Sequence, residues 1–211
     1  MSARQTSSGA NHGARSLTFW RLVPVFLSCF FLGACAGFRG GEFSAPYVGD
    51  AGPPAEMPST PYERGQMQKL ELPGLRLDVS LNNRIRTYDY GVMLFVIPMY
   101  VDFSDGRDPA ERLRVALGIT PTLPGYRFDP ARVGISVDGR RLAPVLPAGE
   151  GAPQMLDNPG KTYYFRLPFD ADLPSLDSTI ILDLGEALQN PSLPPVPLIR
   201  FRKLRWSEGY T

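Results

Sequence analysis

Alternating apolar and polar positions characterise the chain after Lys69. The segment 75–81, LRLDVSL, has leucine or valine at every odd position and arginine, aspartate or serine at every even one. A period of two is typical of a strand with one buried face. The segments 84–90 (RIRTYDY) and 112–120 (RLRVALGIT) repeat the pattern, so we predict strands there too. Helix is the alternative for 112–120, but Gly118 and Pro121 close that segment early, which favours a strand.

Turn residues separate these segments. Asn82-Asn83 predicts a tight hairpin between the first two strands, since asparagine tolerates a positive φ. Asp138-Gly139, inside RVGISVDGRRLAPV, predicts a second hairpin on the same grounds. The run 92–103, VMLFVIPMYVDF, is nearly all apolar and predicts one strand buried on both faces, which Pro98 must bend, end or bulge.

Further strands are predicted at TYYFRLPF, STIILDL and PLIRFRKL, and GEALQ is compatible with a single helical turn. Prolines number 22 among 211 residues, which limits helices to short pieces because proline lacks an amide donor and clashes with the preceding turn. We therefore predict an all-β domain over 69–211, an antiparallel immunoglobulin-like β-sandwich of about 7–9 strands.

The preceding segment, 36–68, is rich in Gly, Pro, Ala and Ser and shows no apolar period. Such composition predicts a disordered, flexible tether, although Phe43 and Tyr47 could instead dock on the domain. We thus divide the chain into residues 1–34, 35–68 and 69–211.

The first 34 residues have a different pattern. Residues 1–21 carry only positive charges, and an uncharged run of thirteen residues, LVPVFLSCFFLGA, follows over 22–34. A basic lead, a short apolar core and small residues at its end indicate a secretory signal peptide. A spanning helix needs about 20 apolar residues, so cleavage is the better interpretation.

The sequence Leu32-Gly33-Ala34-Cys35 resembles the lipobox of bacterial lipoproteins. The resemblance covers this motif and the upstream pattern only. It implies that the thiol of Cys35 receives a diacylglyceryl group, that cleavage occurs before Cys35, and that the new amino terminus is acylated, commonly with palmitate. Two or three acyl chains anchor a protein stably to a membrane surface. By the sorting tendency of that class, Ala36 implies the outer membrane, with the domain facing the periplasm or the exterior.

The alternative is an uncleaved anchor helix that buries both cysteines. Cys29 and Cys35 would then lie on roughly opposite faces of the helix, and the sequence has no other cysteine to which either could bridge.

The charge of the predicted mature chain argues against nucleic acid as a partner. Removing Arg4, Arg15 and Arg21 from 22 basic residues leaves 19 against 21 acidic ones. A nearly neutral protein lacks the clustered positive charge that supplies most non-specific affinity for nucleic acid.

The composition also narrows the chemistry. His12 is the only histidine and precedes the predicted cleavage site, as does Cys29. With Cys35 lipidated, the mature domain has neither the imidazole nor the thiolate of Ser-His-Asp and Cys-His systems, or of ordinary zinc sites. We predict no cofactor and no metal site.

Catalysis or metal binding by carboxylates needs neither histidine nor a free thiol, so the composition does not exclude it. Asp102, Asp105, Asp108 and Glu111 cluster around Gly106, but their spacing departs from an EF-hand loop, so a solvated loop is favoured over calcium binding. A glycosidase needs two opposed carboxylates. Glu71, Asp89 and Asp183 are candidates, but no spacing selects a pair among them.

Two further patterns suggest binding surfaces. RFRKLRW, 200–206, would place Arg200 and Arg202 on one face of a strand, where they could protect a sheet edge or meet lipid phosphates. Four tyrosines lie on predicted strands: Tyr88, Tyr90, Tyr163 and Tyr164. They either pack against cross-strand neighbours on the sheet surface or bind sugars and proteins.

These observations favour a membrane-anchored, non-catalytic binding or structural module of the bacterial envelope, with a protein or glycan as partner. A carboxylate-dependent hydrolase of envelope polysaccharide is the alternative.

Overall fold

The computed structural model of the chain describes residues 35–49, 52, 58–93, 97–103 and 110–210. The predicted signal peptide, 1–34, therefore lies outside the described residues, as do Asp105 and Asp108 of the acidic loop.

The described part contains fourteen strands, one short α-helix and one 3-10 turn. The first elements are β1 (Cys35–Tyr47), α1 (Pro61–Gln66), β2 (Lys69–Leu72), β3 (Leu75–Leu81), β4 (Ile85–Met93) and β5 (Ile97–Asp102). There follow β6 (Arg112–Pro121), β7 (Tyr126–Phe128), the 3-10 turn η1 (Pro130–Arg132), β8 (Gly134–Val137), β9 (Arg140–Leu142) and β10 (Gln154–Leu156). The last are β11 (Tyr163–Asp172), β12 (Ile180–Asp183), β13 (Leu188–Gln189) and β14 (Ile199–Tyr210).

In the described part of the chain the strands form three sheets, and their strand pairings are antiparallel. A curled seven-stranded sheet has the order β5-β4-β1-β14-β12-β8-β9, a four-stranded sheet has the order β11-β6-β3-β2, and a three-stranded sheet has the order β10-β7-β13. The prediction of an antiparallel, nearly all-β structure is confirmed.

Buried side chains from all three sheets form one main core. The odd positions of β3 and β6 supply one layer of it, with Leu77, Val115 and Ile119 fully buried. Phe128 of β7 packs against Phe165 of β11, with ring centroids 4.4 Å apart. Each fully buried Leu, Val or Phe contributes about 1.5–3 kcal/mol, so this core stabilises the larger part of the domain.

The Asp138-Gly139 hairpin is confirmed. Asp138 has a φ of 50° and Gly139 a φ of 84°, and Val137 pairs directly with Arg140 across the turn. Both residues accept the left-handed conformation that this turn requires.

The predicted Asn82-Asn83 hairpin is wrong. β3 pairs with β2 and β6, whereas β4 pairs with β1 and β5 in the other large sheet, so Asn82 and Asn83 connect two sheets. Their side chains fix this crossover. Asn82 accepts from the Arg114 amide at 2.7 Å, and the buried Asn83 donates to the Ser44 hydroxyl at 2.9 Å.

The apolar run 92–103 is not a single strand. Its first residues end β4 and its later ones form β5, with Met93 paired to Ile97. Pro98 stands at the register shift between these two strands, which agrees with the expectation that it sits at an irregularity.

The prediction of a flexible tether is wrong for residues 35–47, which form β1. This strand lies inside the seven-stranded sheet and pairs with β14 on one side and β4 on the other. Segment 61–66 is also ordered, as helix α1. Thr60 caps it by accepting from the Glu63 amide at 3.1 Å, and Glu63 accepts from the Ser59 amide at 2.7 Å.

A small second core joins these parts to the domain. Phe43, Ala45 and Trp206 are buried there, with Met67 and Leu204 packed against them. The amide of Ser207 donates to the Pro58 carbonyl at 3.1 Å, which holds the segment before α1 along β14.

Candidate functional site

Cys35, the predicted lipid attachment residue, is the first residue of β1. Its register partner on β4 is Met93, and two residues further along β1 Gly37 pairs with Tyr210 of β14. The chain therefore enters the sheet directly at Cys35, with no intervening linker.

A row of charged residues crosses one face of the sheet near this end. Across the four strands β14, β1, β4 and β5, the register aligns Glu208, Arg39, Asp89 and Asp102. Directly opposed residues of neighbouring strands share one face of a sheet. We call this set the ionic row.

Glu208 is the buried member of the ionic row, since its side chain is 2% exposed. Its carboxylate accepts from Nε of Arg39 at 2.5 Å and from Nη1 of Arg64, on α1, at 2.9 Å. A buried carboxylate is tolerated only when charge-assisted hydrogen bonds replace its hydration. The two arginines thus fix helix α1 and strand β1 to β14.

Asp89 and Asp102 form the other end of the ionic row. Arg86 bridges them, with Nη1 2.9 Å from Asp89 Oδ2 and Nη2 2.6 Å from Asp102 Oδ2. A guanidinium placed between two carboxylates offsets their mutual repulsion, so this pair serves as an ionic clamp between β4 and β5.

Trp206 lies in the next row of the same face, where the register aligns it with Gly41 of β1 and Arg86 of β4. The Cζ atoms of Arg64 and Arg84 lie 4.4 and 5.5 Å from the centroid of its ring. Its indole Nε1–H is buried, and none of the residues that the structure describes accepts a hydrogen bond from it.

Arg84 belongs to the crossover between β3 and β4. It is partly open to solvent, and no ion pair to it occurs among the described residues. Burial of its guanidinium end lowers the pKa of Arg84, repulsion by Arg64 and Arg39 lowers it further, and attraction by Glu208 offsets part of that effect. The group stays protonated at neutral pH, since arginine is not deprotonated in proteins.

The opposite face of the same strands carries aromatic rings. Phe38 stacks on Tyr90 with centroids 5.5 Å apart, and Tyr88 lies 5.8 Å from Tyr90. Tyr88 crosses Gly40, where an added Cβ would lie 2.5 Å from its ring, and its hydroxyl is 2.8 Å from that of Ser207. We call Phe38, Tyr88 and Tyr90 the aromatic face.

The three carboxylates considered for hydrolysis are not assembled into a pair. Glu71 lies on β2 beside Arg76, Asp89 on β4 beside Arg86, and Asp183 on β12 beside Arg141. They belong to three different strands in two sheets, and each already has its own arginine.

The acidic loop is described only at its ends. Asp102 pairs with Arg86, and Glu111 accepts from Asn82 at 2.9 Å and from Arg114 at 3.1 Å. Within the part of the chain that the structure describes, no group of three His, Cys, Asp or Glu side chains could hold a metal ion.

The basic run 200–206 is divided between several environments. Lys203 forms an ion pair with Asp177, Arg205 with Glu42, and Arg202 lies over the ring of Tyr47. Arg200 and Arg202 line a shallow pocket of about 350 Å³ near the start of β14. They are about ten residues from Tyr210, which places them about 33 Å along the strand from the Cys35 end.

Tyr163 and Tyr164 lie on β11, away from the aromatic face. Tyr163 accepts from the Asn158 amide at 3.3 Å and has Lys161 over its ring, whereas Tyr164 is 79% exposed. Both line an open groove of about 640 Å³ beside β11.

Sequence reasoning missed the ionic row and Trp206 as a unit. Arg39, Arg64, Arg84 and Glu208 are up to 169 positions apart, and they meet only because β1 pairs with β14 and α1 and the β3–β4 crossover contact the same part of β14.

The chain matches no protein-family model, no curated protein and no solved structure. Among the helices of the described residues, none has the length and apolar character needed to cross a bilayer.

Proposed function

We propose that this protein is a bacterial envelope lipoprotein, anchored by acyl chains on Cys35, that acts as a non-catalytic binding or structural module. The supporting observation is the position of Cys35. It follows a lipobox-like sequence and is also the first residue of a strand inside the sheet. We propose the outer membrane as its localisation, with the domain facing the periplasm or the exterior.

The position of Cys35 at the start of β1 determines which part of the domain would lie next to the membrane. If acyl chains are attached at the start of β1, the domain is held directly against the membrane surface. The ends of β14 and β4 then face the lipid, because Tyr210 and Met93 are aligned with the first residues of β1.

Two features support a binding role. The aromatic face presents a partly exposed set of rings, and such rings stack on sugars and on partner side chains. In addition, the carboxylates considered for hydrolysis are each paired with an arginine on a separate strand. The partner we propose is an envelope protein or a glycan.

The packing of antiparallel sheets over the main core also supports an immunoglobulin-like class for the sandwich. We include that class in the proposal. Its test is the strand order of an experimental structure.

The anchor is tested with the full chain expressed in a bacterial host. Wild type should incorporate labelled palmitate, lose residues 1–34 by intact mass, and fractionate with membranes. Cys35→Ser should lose all three properties, whereas the matched control Cys29→Ser should keep them. A protein that retains residues 1–34 with an unmodified Cys35 contradicts the proposal.

The non-catalytic role is tested by affinity capture of the lipidated protein from its own envelope. Recovery of one stoichiometric protein or glycan, lost on substituting the aromatic face, supports it. Turnover of an envelope polysaccharide that disappears on replacing a single Asp or Glu contradicts it.

A further inference from the structure

Among the described residues, Arg84 differs from the other arginines around Trp206 because no carboxylate pairs with it. Arg39 and Arg64 share Glu208, and Arg86 holds Asp89 and Asp102. Arg84 therefore presents a guanidinium group to which the described part of the chain supplies no counter-charge in direct contact.

A second observation also points to a missing acceptor. Trp206 is 4% exposed, yet its indole N–H finds no hydrogen-bond acceptor within the described part of the chain. A buried donor without an acceptor is unfavourable because its hydration is lost and not replaced, and native structures rarely contain one. The unpaired donor belongs to the side chain against which Arg84 and Arg64 stack.

The chemistry of the missing group follows from these donors. A guanidinium binds oxyanions through two parallel N–H bonds, which uses both oxygens of a carboxylate. A tetrahedral phosphate has further oxygens for a separate indole N–H and for the remaining donors of Arg64. Phosphate is therefore the better match to a guanidinium fork with additional donors beside it.

We propose that Arg84, Arg64 and Trp206 form a binding site for a phosphate-type oxyanion, either free or carried on a lipid headgroup. An oxyanion bound there would offset the positive charge that Arg64 and Arg39 place beside Arg84. The site does not require lipidation of Cys35 and goes beyond the proposed function.

The protein carries its own reporter for this site. The sequence has two tryptophans, Trp20 and Trp206, and the proposed cleavage removes Trp20. The purified full-length product, in nonionic detergent, is titrated with inorganic phosphate at fixed pH and fixed ionic strength, with chloride as the replaced anion, because general screening affects every surface charge. We expect a saturable change in Trp206 emission and a rise in the melting temperature.

Arg84→Gln should weaken phosphate binding at least tenfold. Arg127→Gln is the matched control, because Arg127 is an exposed strand arginine on β7 and the net charge changes equally. It should bind as wild type does. The proposal is overturned if wild type shows no saturable response, or if Arg84→Gln and Arg127→Gln bind phosphate equally.

The source of the phosphate is separated by reconstitution. The same protein is placed in phosphatidylcholine vesicles with and without phosphatidic acid. A change in Trp206 emission that requires both phosphatidic acid and Arg84 assigns the site to headgroups. A response to inorganic phosphate alone assigns it to a soluble phosphate.

Failure of this site is distinguishable from failure of the anchor. Intact mass reports the processing of residues 1–34 independently of any titration. If those residues remain, Trp20→Phe restores Trp206 as the single reporter, and the same comparison of Arg84→Gln with Arg127→Gln decides the outcome.

Discussion

The two halves of the structure are stabilised by different interactions. In the main core, β3, β6 and β7 bury Leu, Val, Ile and Phe side chains that are at most 8% exposed. The face of β1, β4, β5 and β14 that bears Trp206 carries the ionic row instead. The first half is stabilised by removal of apolar surface from water, and the second depends on charges that must be paired because they are partly desolvated.

The effect of a buried carboxylate on the stability of the fold depends on its partners. Glu208 stabilises its surroundings because two arginines replace its water. Asp78, on the outer face of β3, lies in the apolar half, and burial raises its pKa, partly offset by Lys69. The same type of group is therefore stabilising in one half and unfavourable in the other.

The largest expected effect is in the main core. Phe128→Ala removes a fully buried ring and leaves a cavity beside Phe165, so we expect a loss of about 3–5 kcal/mol in the free energy of unfolding. Denaturant unfolding measures it. Leu123→Ala, at an exposed position, should change stability by less than about 0.5 kcal/mol. Equal losses in the two variants would contradict the assignment of the core.

An intermediate effect is expected at the ionic row. Glu208→Gln removes the charge that Arg39 and Arg64 share, and hydrogen bonds to charged groups contribute about 1.5–3 kcal/mol. We expect a loss of that size by denaturant unfolding.

The matched control for this prediction is Glu71→Gln. Glu71 pairs with Arg76 in a largely exposed position, so its loss should stay below about 1 kcal/mol and decrease with added salt. If Glu208→Gln lowers the free energy of unfolding no more than Glu71→Gln does, the buried ion pairs of Glu208 stabilise the fold no more than an exposed ion pair does.

The smallest effect, and one of opposite sign, is expected at Asp78. Its folded-state pKa is raised above the ordinary value of 3.8, so the folded state binds the proton more tightly and stability falls as pH rises through this range. Asp78→Asn should therefore be more stable than wild type at neutral pH. The difference should shrink as pH falls through the folded pKa and vanish below the ordinary value of 3.8, where Asp78 is neutral in both the folded and the unfolded state. Asp170→Asn, at an exposed site, is the control for unfolding measurements at both pH values.

The sequence predicts the apolar half well for a physical reason. In β3 and β6 one face is buried in the main core, so the period of two appears directly as alternating Leu, Val and Ile. The Asp138-Gly139 turn is equally local, because it depends only on the φ values that its two residues accept.

The half that contains β1 and the ionic row could not be predicted from a local pattern of apolar residues. In β1 the face that carries Phe43 and Ala45 also carries Arg39 and Gly41, and the opposite face carries Phe38 and Gly40, so neither parity is apolar throughout. Glycine is required at the bulge, since a Cβ on Gly41 would lie 2.0 Å from the Ile85 carbonyl oxygen. Composition of this kind is typical of a linker, which explains the wrong prediction of a tether.

The candidate site around Trp206 could not be predicted from local sequence either. The run 200–206 is recognisably basic and contains Trp206, but its partners come from α1, β1 and the crossover at Arg84. Asn82 and Asn83 have turn-forming side chains, yet here those side chains hold β6 and Ser44. Long-range pairing decides both cases, and no local spacing records it.

The alignment of Gly37 with Tyr210 affects where a fused tag can be placed. Any reporter or purification tag joined after β14 would emerge beside the start of β1 and would compete for space with whatever is attached to Cys35. The turn at Asp138 and Gly139, which joins two strands at the far border of the same sheet, offers an insertion point remote from that crowded corner.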